Sequence, residues 1–403
     1  MKALDFASEI GNGKSTLAFP AKEKSFKVMI DSLVEQNERH LHMQPIIERV
    51  PQLLRNSASN NKDYDPMMVS IGPYHHGKKE FQMAEKVKPI MAQLYVSGSS
   101  GTLHEFYIAI LPKLNDLKSY YVKGSTNEYS NEEFATMMLL DGCLVLAIIE
   151  LFDSAFSHKW QIYMDEINCL DMHAQAYFIY DILWLMENQL PLKVLQLLMS
   201  LKCKGGDGMK MISTFLDFGV YRDIKPGREI KKPSTFFRSV TKLKAKGIYV
   251  RCSGYYHLTS IKFRSFFFVG LLDLPIIIIS PSRRIAFSNL IAYELTLGDD
   301  NMCSQTSYIN FMKSLINHPD DVKELRSKHI LINEQYSSDK EVVNIMKSIT
   351  TCLMTHDLCE EVREMIKKHY NSKVKTWIAK LIHNYFSSPW AFMAFLAAIL
   401  VVA

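Results

Sequence analysis

Residues 389–403 contain no charged side chain. A helix that spans the ~30 Å apolar core of a bilayer needs about 20 apolar residues, and a helical run of this length reaches only about 22 Å. The run is therefore short for a full span and long for an ordinary core helix. Either a membrane or the protein interior must cover it, and this requirement constrains the fold more than any other part of the sequence.

Two neighbouring features favour the membrane. Trp390 lies at the polar edge of the run, where aromatic side chains anchor spans at the interface. Residues 361–388 carry only Glu361 and Glu364 as acids, against the basic residues Arg363, Lys367, Lys368, Lys373, Lys375 and Lys380. Because a basic flank stays cytoplasmic, we expect a single-pass anchor at the plasma membrane, with the main domain facing the cytosol.

This predicted anchor covers residues 387–403. Its main positions are Pro389, Trp390, Phe392, Phe395, Leu396, Ile399 and Leu400. The run extends to residue 403, so the span is a tail anchor or one of which the chain holds only part. The alternative is a buried C-terminal core helix, since runs of about 10–14 apolar residues often form core helices.

Composition excludes several classes of protein. With 48% hydrophobic and 22% charged residues, the 403-residue chain is neither wholly disordered nor a polytopic membrane protein. Its net charge of +5 identifies no partner. The seven cysteines are scattered and include no Cys-x-x-Cys pair, which indicates a reducing compartment. Charged residues interrupt the first ten positions, so no secretory signal is expected there.

Helical periodicity dominates the chain. Residues 1–40 are predicted to form a loose segment and a first helix, and residues 41–386 a helical domain. A helix near Lys79 is expected to place Met83, Val87, Ile90 and Leu94 on its apolar face. Residues 132–152 form a nearly all-round apolar helix, which favours the centre of the core. Residues 177–198 are similar, with Pro191 expected to kink or end the helix.

A small sheet is predicted near residues 247–280. The runs GIYVRC, YYHLTSIKF and SFFFVGLLDLPIIIIS are rich in β-branched and aromatic residues, a pattern typical of an antiparallel sheet. The predicted fold class is therefore mainly α: a helical body with a small antiparallel β element and a C-terminal hydrophobic helix.

Several ordered segments resemble the plant family called domain of unknown function 247. They include IIERVPQLLR, VSIGPYHHG, EEFATMMLLDGCLVLAIIELF, DILWLMENQLPLKVL and FSNLIAYEL, and the resemblance extends from about residue 46 to the end. Two departures are Met186 before Glu-Asn-Gln, where the family often has Leu, and Leu295 after Glu294, where it usually has Gln. The family-motif residues, of unknown role, are Gly72, Pro73, Tyr74, His75, His76, Gly77, Asp141, Gly142, Glu187, Asn188, Gln189, Pro191, Asn289 and Glu294.

The resemblance implies a mostly helical cytosolic body with a C-terminal hydrophobic anchor. No enzymatic activity is established for the family. Some grass members resemble pollen-side determinants of self-incompatibility, which implies a recognition role.

The motif residues allow two chemical interpretations. A metal at His75 and His76 would need further ligands, and no zinc motif supplies them, so a structured turn is expected and neither a metal nor another cofactor. Glu187, Asn188 and Gln189 form either a ligand or acid/base site or a buried network around the Pro191 break. Asp141 is expected to pair with a basic or amide neighbour.

These observations favour a non-catalytic, membrane-anchored protein for recognition or signalling, with an unknown protein partner. The alternative is an enzyme in which the His75/His76 turn and Glu187 meet in one pocket. Residues 231–264 contain nine basic residues and no acidic one. A solvated face explains this segment first, contact with an anionic membrane second and nucleic acid third, so no nucleic-acid partner is expected.

Overall fold

Helices form most of the computed structural model, and small sheets lie in its second half. The structure describes residues 46–57, 61–97, 99–151, 174–203, 211–212, 238–254, 261–267, 269–297, 304–333, 336, 338–351 and 357–372. The predicted N-terminal segment and first helix (1–40) and the predicted anchor (387–403) lie outside these residues. The proposed domain boundaries stay predictions.

The regular secondary structure described in the first half is helical, apart from an isolated bridge between Ile47 and Tyr121. Its α-helices are α1 (Gln52–Ser57), α2 (Gln82–Ser97), α3 (Leu103–Ile110), α4 (Leu114–Lys118), α5 (Asn131–Leu151), α6 (Ala174–Trp184) and α7 (Leu192–Lys202). Short 3-10 helices cover Asn61–Tyr64, Lys79–Phe81 and Leu111–Lys113.

Helix α5 is the centre of the first hydrophobic core. From Phe134 to Glu150 nearly every side chain is buried, as the all-round apolar sequence predicts. Helix α7 packs closely on α5 because position 142 is glycine: a Cβ there would stand 2.5 Å from Cδ1 of Leu198. Among the described residues, no helix is both long and apolar enough to cross a membrane.

Helix α2 packs against α5 through a face that agrees only in part with the predicted one. Met83 and Ile90 are about half exposed, at 54% and 43%. The buried face instead contains Ala84, Val87, Lys88, Met91, Ala92 and Tyr95. The predicted face was therefore correct at Val87 and Leu94 and wrong at Met83 and Ile90, and the buried face also contains Lys88, which is 1% exposed.

The second half surrounds a separate hydrophobic core. Its described helices are α8 (Val240–Lys244), α9 (Pro281–Leu297), α10 (Ser304–Leu315), α11 (Pro319–Ser327), α12 (Asp339–Ser348) and α13 (Glu360–Tyr370). Its strands are β1 (Ile248–Cys252), β2 (Lys262–Ser265), β3 (Gly270–Leu274), β4 (Ile277–Ile279) and β5 (Leu331–Asn333).

The β element lies where the sequence predicts it, but its predicted antiparallel pairing is only partly correct. The strand order is β1-β3-β2, with β2 antiparallel and β1 parallel to β3. Strands β2 and β3 form a tight hairpin, and β1 pairs with the other edge of β3 in the parallel direction. Strands β4 and β5 form a second, parallel pair.

Candidate functional site

The motif segment 67–77 has little regular structure, and polar side chains hold its backbone in place. Oδ2 of Asp181 accepts hydrogen bonds from the N–H groups of Met67, Met68 and Val69, at 2.9, 2.6 and 3.1 Å. Asp181 lies in α6, and it is 4% exposed. A single buried carboxylate thus satisfies three main-chain donors that no strand or helix pairs.

Asn188 continues this arrangement from the turn between α6 and α7. Its Oδ1 accepts from the N–H of Ile71 at 2.6 Å. Its Nδ2 donates to the carbonyl oxygens of Val69 at 3.0 Å and Asp181 at 2.8 Å. The amide side chain therefore has a main-chain partner for both its oxygen and its nitrogen, which accounts for its complete burial.

Asp141 fixes the next residue of the segment. Its Oδ2 accepts from the N–H of Gly72 at 2.8 Å, and its Oδ1 lies 2.6 Å from Nζ of Lys88. Lys88 also pairs with Glu85 at 2.6 Å. Burial lowers the pKa of Lys88, but the carboxylates of Asp141 and Glu85 outweigh it and raise the pKa overall. The pairing expected for Asp141 is present, and its partner is this lysine.

Gly72 has a conformation and a position that require glycine. Its φ is +70°, and a Cβ there would stand 2.7 Å from the carbonyl oxygen of Gln189. That carbonyl accepts from the hydroxyl of Tyr121 at 3.0 Å. The motif segment and the 185–191 turn therefore approach each other backbone to backbone.

The 185–191 turn contains the second group of motif residues. Nε2 of Gln189 donates to the carbonyl of Leu185 at 2.8 Å. Pro191 precedes the first residue of α7 and ends the break between the two helices, as its fixed φ favours. These contacts match the buried network that the sequence offered as one interpretation of this motif.

Three groups contact the carboxylate of Glu187. Its Oε1 accepts from the N–H of Val50 at 2.7 Å, and its Oε2 lies 3.0 Å from Arg55 and 3.4 Å from Nε2 of His75. Burial works to raise the pKa of Glu187, but His75, the Val50 amide and Arg55 outweigh it and lower the pKa to about 2. The side chain is thus an ionised carboxylate at neutral pH.

His75 and Glu187 are in contact, which is one part of what the enzyme hypothesis requires. Nδ1 of His75 lies 2.9 Å from Nζ of Lys78. Because an ammonium group only donates, this contact makes Nδ1 the acceptor and leaves the proton on Nε2, facing Glu187. Both side chains are 4% exposed. The imidazole therefore has a protein group at each nitrogen.

His76 points to a different environment from His75. With Glu85, Glu132, Glu133, Thr136, Met137, Leu140 and Asp141, it lines a cavity of about 290 Å³. Its ring meets that of Tyr129 edge to face at 5.8 Å, and the Tyr129 hydroxyl donates to the carbonyl of Pro73 at 2.8 Å. Glu187 does not line this cavity, so the two histidines do not share one pocket with it.

The part of the chain that the structure describes contains no grouping of His, Cys, Asp and Glu able to hold a metal ion.

Main-chain groups bind the hydroxyl of Tyr74, another motif residue. This hydroxyl donates to the carbonyl of Ile47 at 2.5 Å and accepts from the N–H of Val122 at 3.1 Å. Gly77 adopts φ +79° in an open turn.

Asn289 and Glu294 lie on α9. Asn289 joins the network, since its Oδ1 accepts from the N–H of Met186 at 3.0 Å and its Nδ2 donates to the carbonyl of Asp63 at 2.7 Å. Glu294 instead binds the start of α10, accepting from the N–H groups of Gln305 at 2.6 Å and Thr306 at 2.9 Å. It acts there as a helix cap from a neighbouring helix.

Sequence reasoning missed three members of the network: Lys88, Asp181 and Arg55. Asp181 carries the same signal that singled out Asp141, namely one acid within an apolar helix. Lys88 and Arg55 give no such signal, because basic residues on amphipathic helices are usually solvated.

Two proteins of Arabidopsis thaliana are similar in sequence to this chain. The chain is 27% identical over 427 aligned residues to UPF0481 protein At3g47200 of Arabidopsis thaliana, an alignment that covers 88% of this chain and 83% of that protein. A second Arabidopsis thaliana protein of the same designation, At3g02645, is 25% identical over 166 residues, which is 41% of this chain and 31% of that protein. No solved structure shows a significant match.

The family profile described as a plant protein of unknown function matches residues 47–225 and 222–403, and so includes every motif residue described above. The chain therefore belongs to the plant family called domain of unknown function 247.

Proposed function

We propose that this protein is a non-catalytic recognition or signalling protein, held at the plasma membrane through residues 389–403 with its main domain in the cytosol. The observation that carries the proposal is the use of the polar motif residues and of Asp181, which lies beside them. Asp141, Asp181, Glu187 and Asn188 each accept hydrogen bonds from main-chain N–H groups. Groups engaged in this way build a scaffold, and a scaffold supports binding surfaces elsewhere on the protein.

The membrane part of the proposal rests on the sequence. The uncharged run, the edge position of Trp390 and the basic flank before it favour a cytosol-facing anchor. Some grass members of the family resemble pollen-side determinants of self-incompatibility, which gives a narrower form of the proposal, in which the recognition event is self-incompatibility. Expression confined to reproductive tissue, together with linkage to an incompatibility locus, would support that form.

Membrane attachment is the first test. Full chain and a version without residues 389–403, each tagged at the N-terminus, are expressed in plant cells and compared by carbonate extraction and protease protection. We expect the full chain to resist extraction, its tag to be digested in sealed vesicles, and the shortened version to be soluble. Solubility of both versions would contradict the anchor, because the run would then be covered by protein.

An enzyme remains the second candidate, and the contact between His75 and Glu187 favours it. A histidine oriented by a carboxylate is a common general base. Against this role, Lys78 engages the other nitrogen of His75, and both members of the pair are buried. To decide between the scaffold and the enzyme, the pure protein and its His75→Gln and Glu187→Gln variants are each incubated with a plant metabolite extract. If the parent protein converts a metabolite and both variants fail to do so, the enzyme replaces the scaffold proposal.

A further inference from the structure

Of the residues described at the tip of the hairpin formed by β2 and β3, two are the phenylalanines Phe266 and Phe267. Ser265 and Gly270 pair across the hairpin, and the N–H of Phe266 donates to the carbonyl of Val269 at 2.8 Å, which closes a tight turn. Phe266 is 53% exposed and Phe267 is 87% exposed. Two neighbouring aromatic side chains with more than half of their surface exposed indicate a contact surface.

Cations lie at the same end of the sheet. Arg264, which is half-exposed, precedes the tip by two residues. The N–H of Gly270 donates to the carbonyl of Gly247 at 2.9 Å, so Lys246 also lies at the tip end. Within strands β1, β2 and β3, the acid that offsets these cations is Asp273. Its single carboxylate pairs with two guanidinium groups, those of Arg251 and Arg264. The balance of charge around the tip is positive.

The last described helix, α13, also ends beside this hairpin. Nδ1 of His369, in the last turn of α13, lies 2.8 Å from Oγ of Ser265. Arg238 and Lys246 both stack on the ring of Tyr370, at 5.6 and 5.2 Å from its centroid. From here the sequence continues through the basic residues Lys373, Lys375 and Lys380 to the uncharged run 389–403.

We propose that the hairpin tip is a second membrane contact, in which Phe266 and Phe267 enter the interfacial region of an anionic bilayer while Arg238, Lys246 and Arg264 face its headgroups. The inference rests on the proposed membrane function, since the anchor would bring the tip to the bilayer. Aromatic rings suit the boundary between headgroups and acyl chains. Basic side chains are attracted to anionic lipid, and this charge complementarity selects a lipid surface over an uncharged apolar partner.

The test uses the full chain in vesicles that contain phosphatidylserine, with or without bromine on the acyl chains as a fluorescence quencher. Phe267→Trp places a reporter at the tip. Leu53→Trp is the matched control, because Leu53 is an apolar residue on α1 that is 67% exposed. We expect bromination to reduce the added fluorescence at position 267 about twofold, as for a side chain at the acyl boundary, and to leave that at position 53 unchanged.

Trp390 reports on the anchor in the same preparation. Quenching that is present in the parent chain and lost in the Trp390→Phe variant supports the anchor, and its absence contradicts the proposed function. If Trp390 is quenched while the reporter at position 267 is not, the tip is not a membrane contact and the inference falls alone. Equal quenching at position 267 in neutral phosphatidylcholine would overturn the role assigned to the cations.

Discussion

Nζ of Lys88 lies 2.6 Å from Oδ1 of Asp141, and each side chain is 1% exposed. The pair connects α2 to α5, while the second oxygen of the same carboxylate holds the backbone of Gly72. A buried ion pair adds little net stability by itself, but the loss of one member leaves the other charge without compensation.

Lys88→Met is therefore expected to lower the free energy of unfolding by about 3–5 kcal/mol. The double variant Lys88→Met/Asp141→Asn should lose less than the sum of the two single variants, because no buried charge then stands alone. Denaturant unfolding measures the free energy of unfolding of the two single variants and of the double variant. Lys86→Met, at an exposed position on the same helix, is the control and should change stability by less than about 0.5 kcal/mol. Additive single effects would contradict the coupling.

Gly72 and Gly77 offer a comparison between strain alone and strain with a clash. Both have positive φ, +70° and +79°, but only at Gly72 would a Cβ meet other atoms within 4 Å. Gly77→Ala should cost about 1–2 kcal/mol, the cost of the left-handed conformation. Gly72→Ala should cost about 1–3 kcal/mol more, since the carbonyl of Gln189 must move. Equal losses in thermal or denaturant unfolding would show that the backbone contact is unimportant.

Asp181 should make stability depend on pH above pH 4. Burial raises the pKa of Asp181 to about 7, although the N–H groups of Met67, Met68 and Val69 oppose the change. A raised carboxyl pKa means that the folded state holds the proton more tightly, so this contribution is complete below pH 4 and is lost as pH rises to about 7. The loss is roughly 4 kcal/mol. Asp181→Asn keeps the acceptor oxygen and should remove this slope; a persistent slope would assign it to another group.

Glu187 should make the free energy of unfolding depend on pH in the opposite direction, at lower pH. Its pKa falls from 4.5 to about 2, with His75, Val50 and Arg55 outweighing burial. A lowered carboxyl pKa stabilises the fold above pH 4.5, and the contribution is lost as pH falls towards 2, by roughly 3 kcal/mol. Unfolding curves of Glu187→Gln should lack this acid loss, whereas the exposed Glu132→Gln should retain it. An unchanged profile in Glu187→Gln would contradict the predicted contacts.

The sequence predicted the parts of this structure that leave a local pattern. The apolar run around Asp141 predicted a central buried helix, and Pro191 predicted the break that begins α7. An acid inside such a run also predicted a buried pair. The resemblance located the motif segment without giving it a role.

The remaining features depend on contacts between distant segments. The partner of Asp141 is Lys88, whose apolar stem lets a charged residue lie on the buried face of α2. No periodicity distinguishes such a lysine from a solvated one. The strand pattern likewise gave the location of the sheet, but the position of β3 between β1 and β2 depends on pairing that no local signal records.

The six residues from Met67 to Gly72 meet three acceptors on two helices and the turn that follows them: Asp181, then Asn188, then Asp141. Because these acceptors stand at fixed positions, they measure the length of the segment they hold. One inserted or deleted residue would shift the downstream amides by about 3.3 Å, more than the length of a hydrogen bond. Relatives that retain all three acceptors are thus expected to vary here by substitution alone.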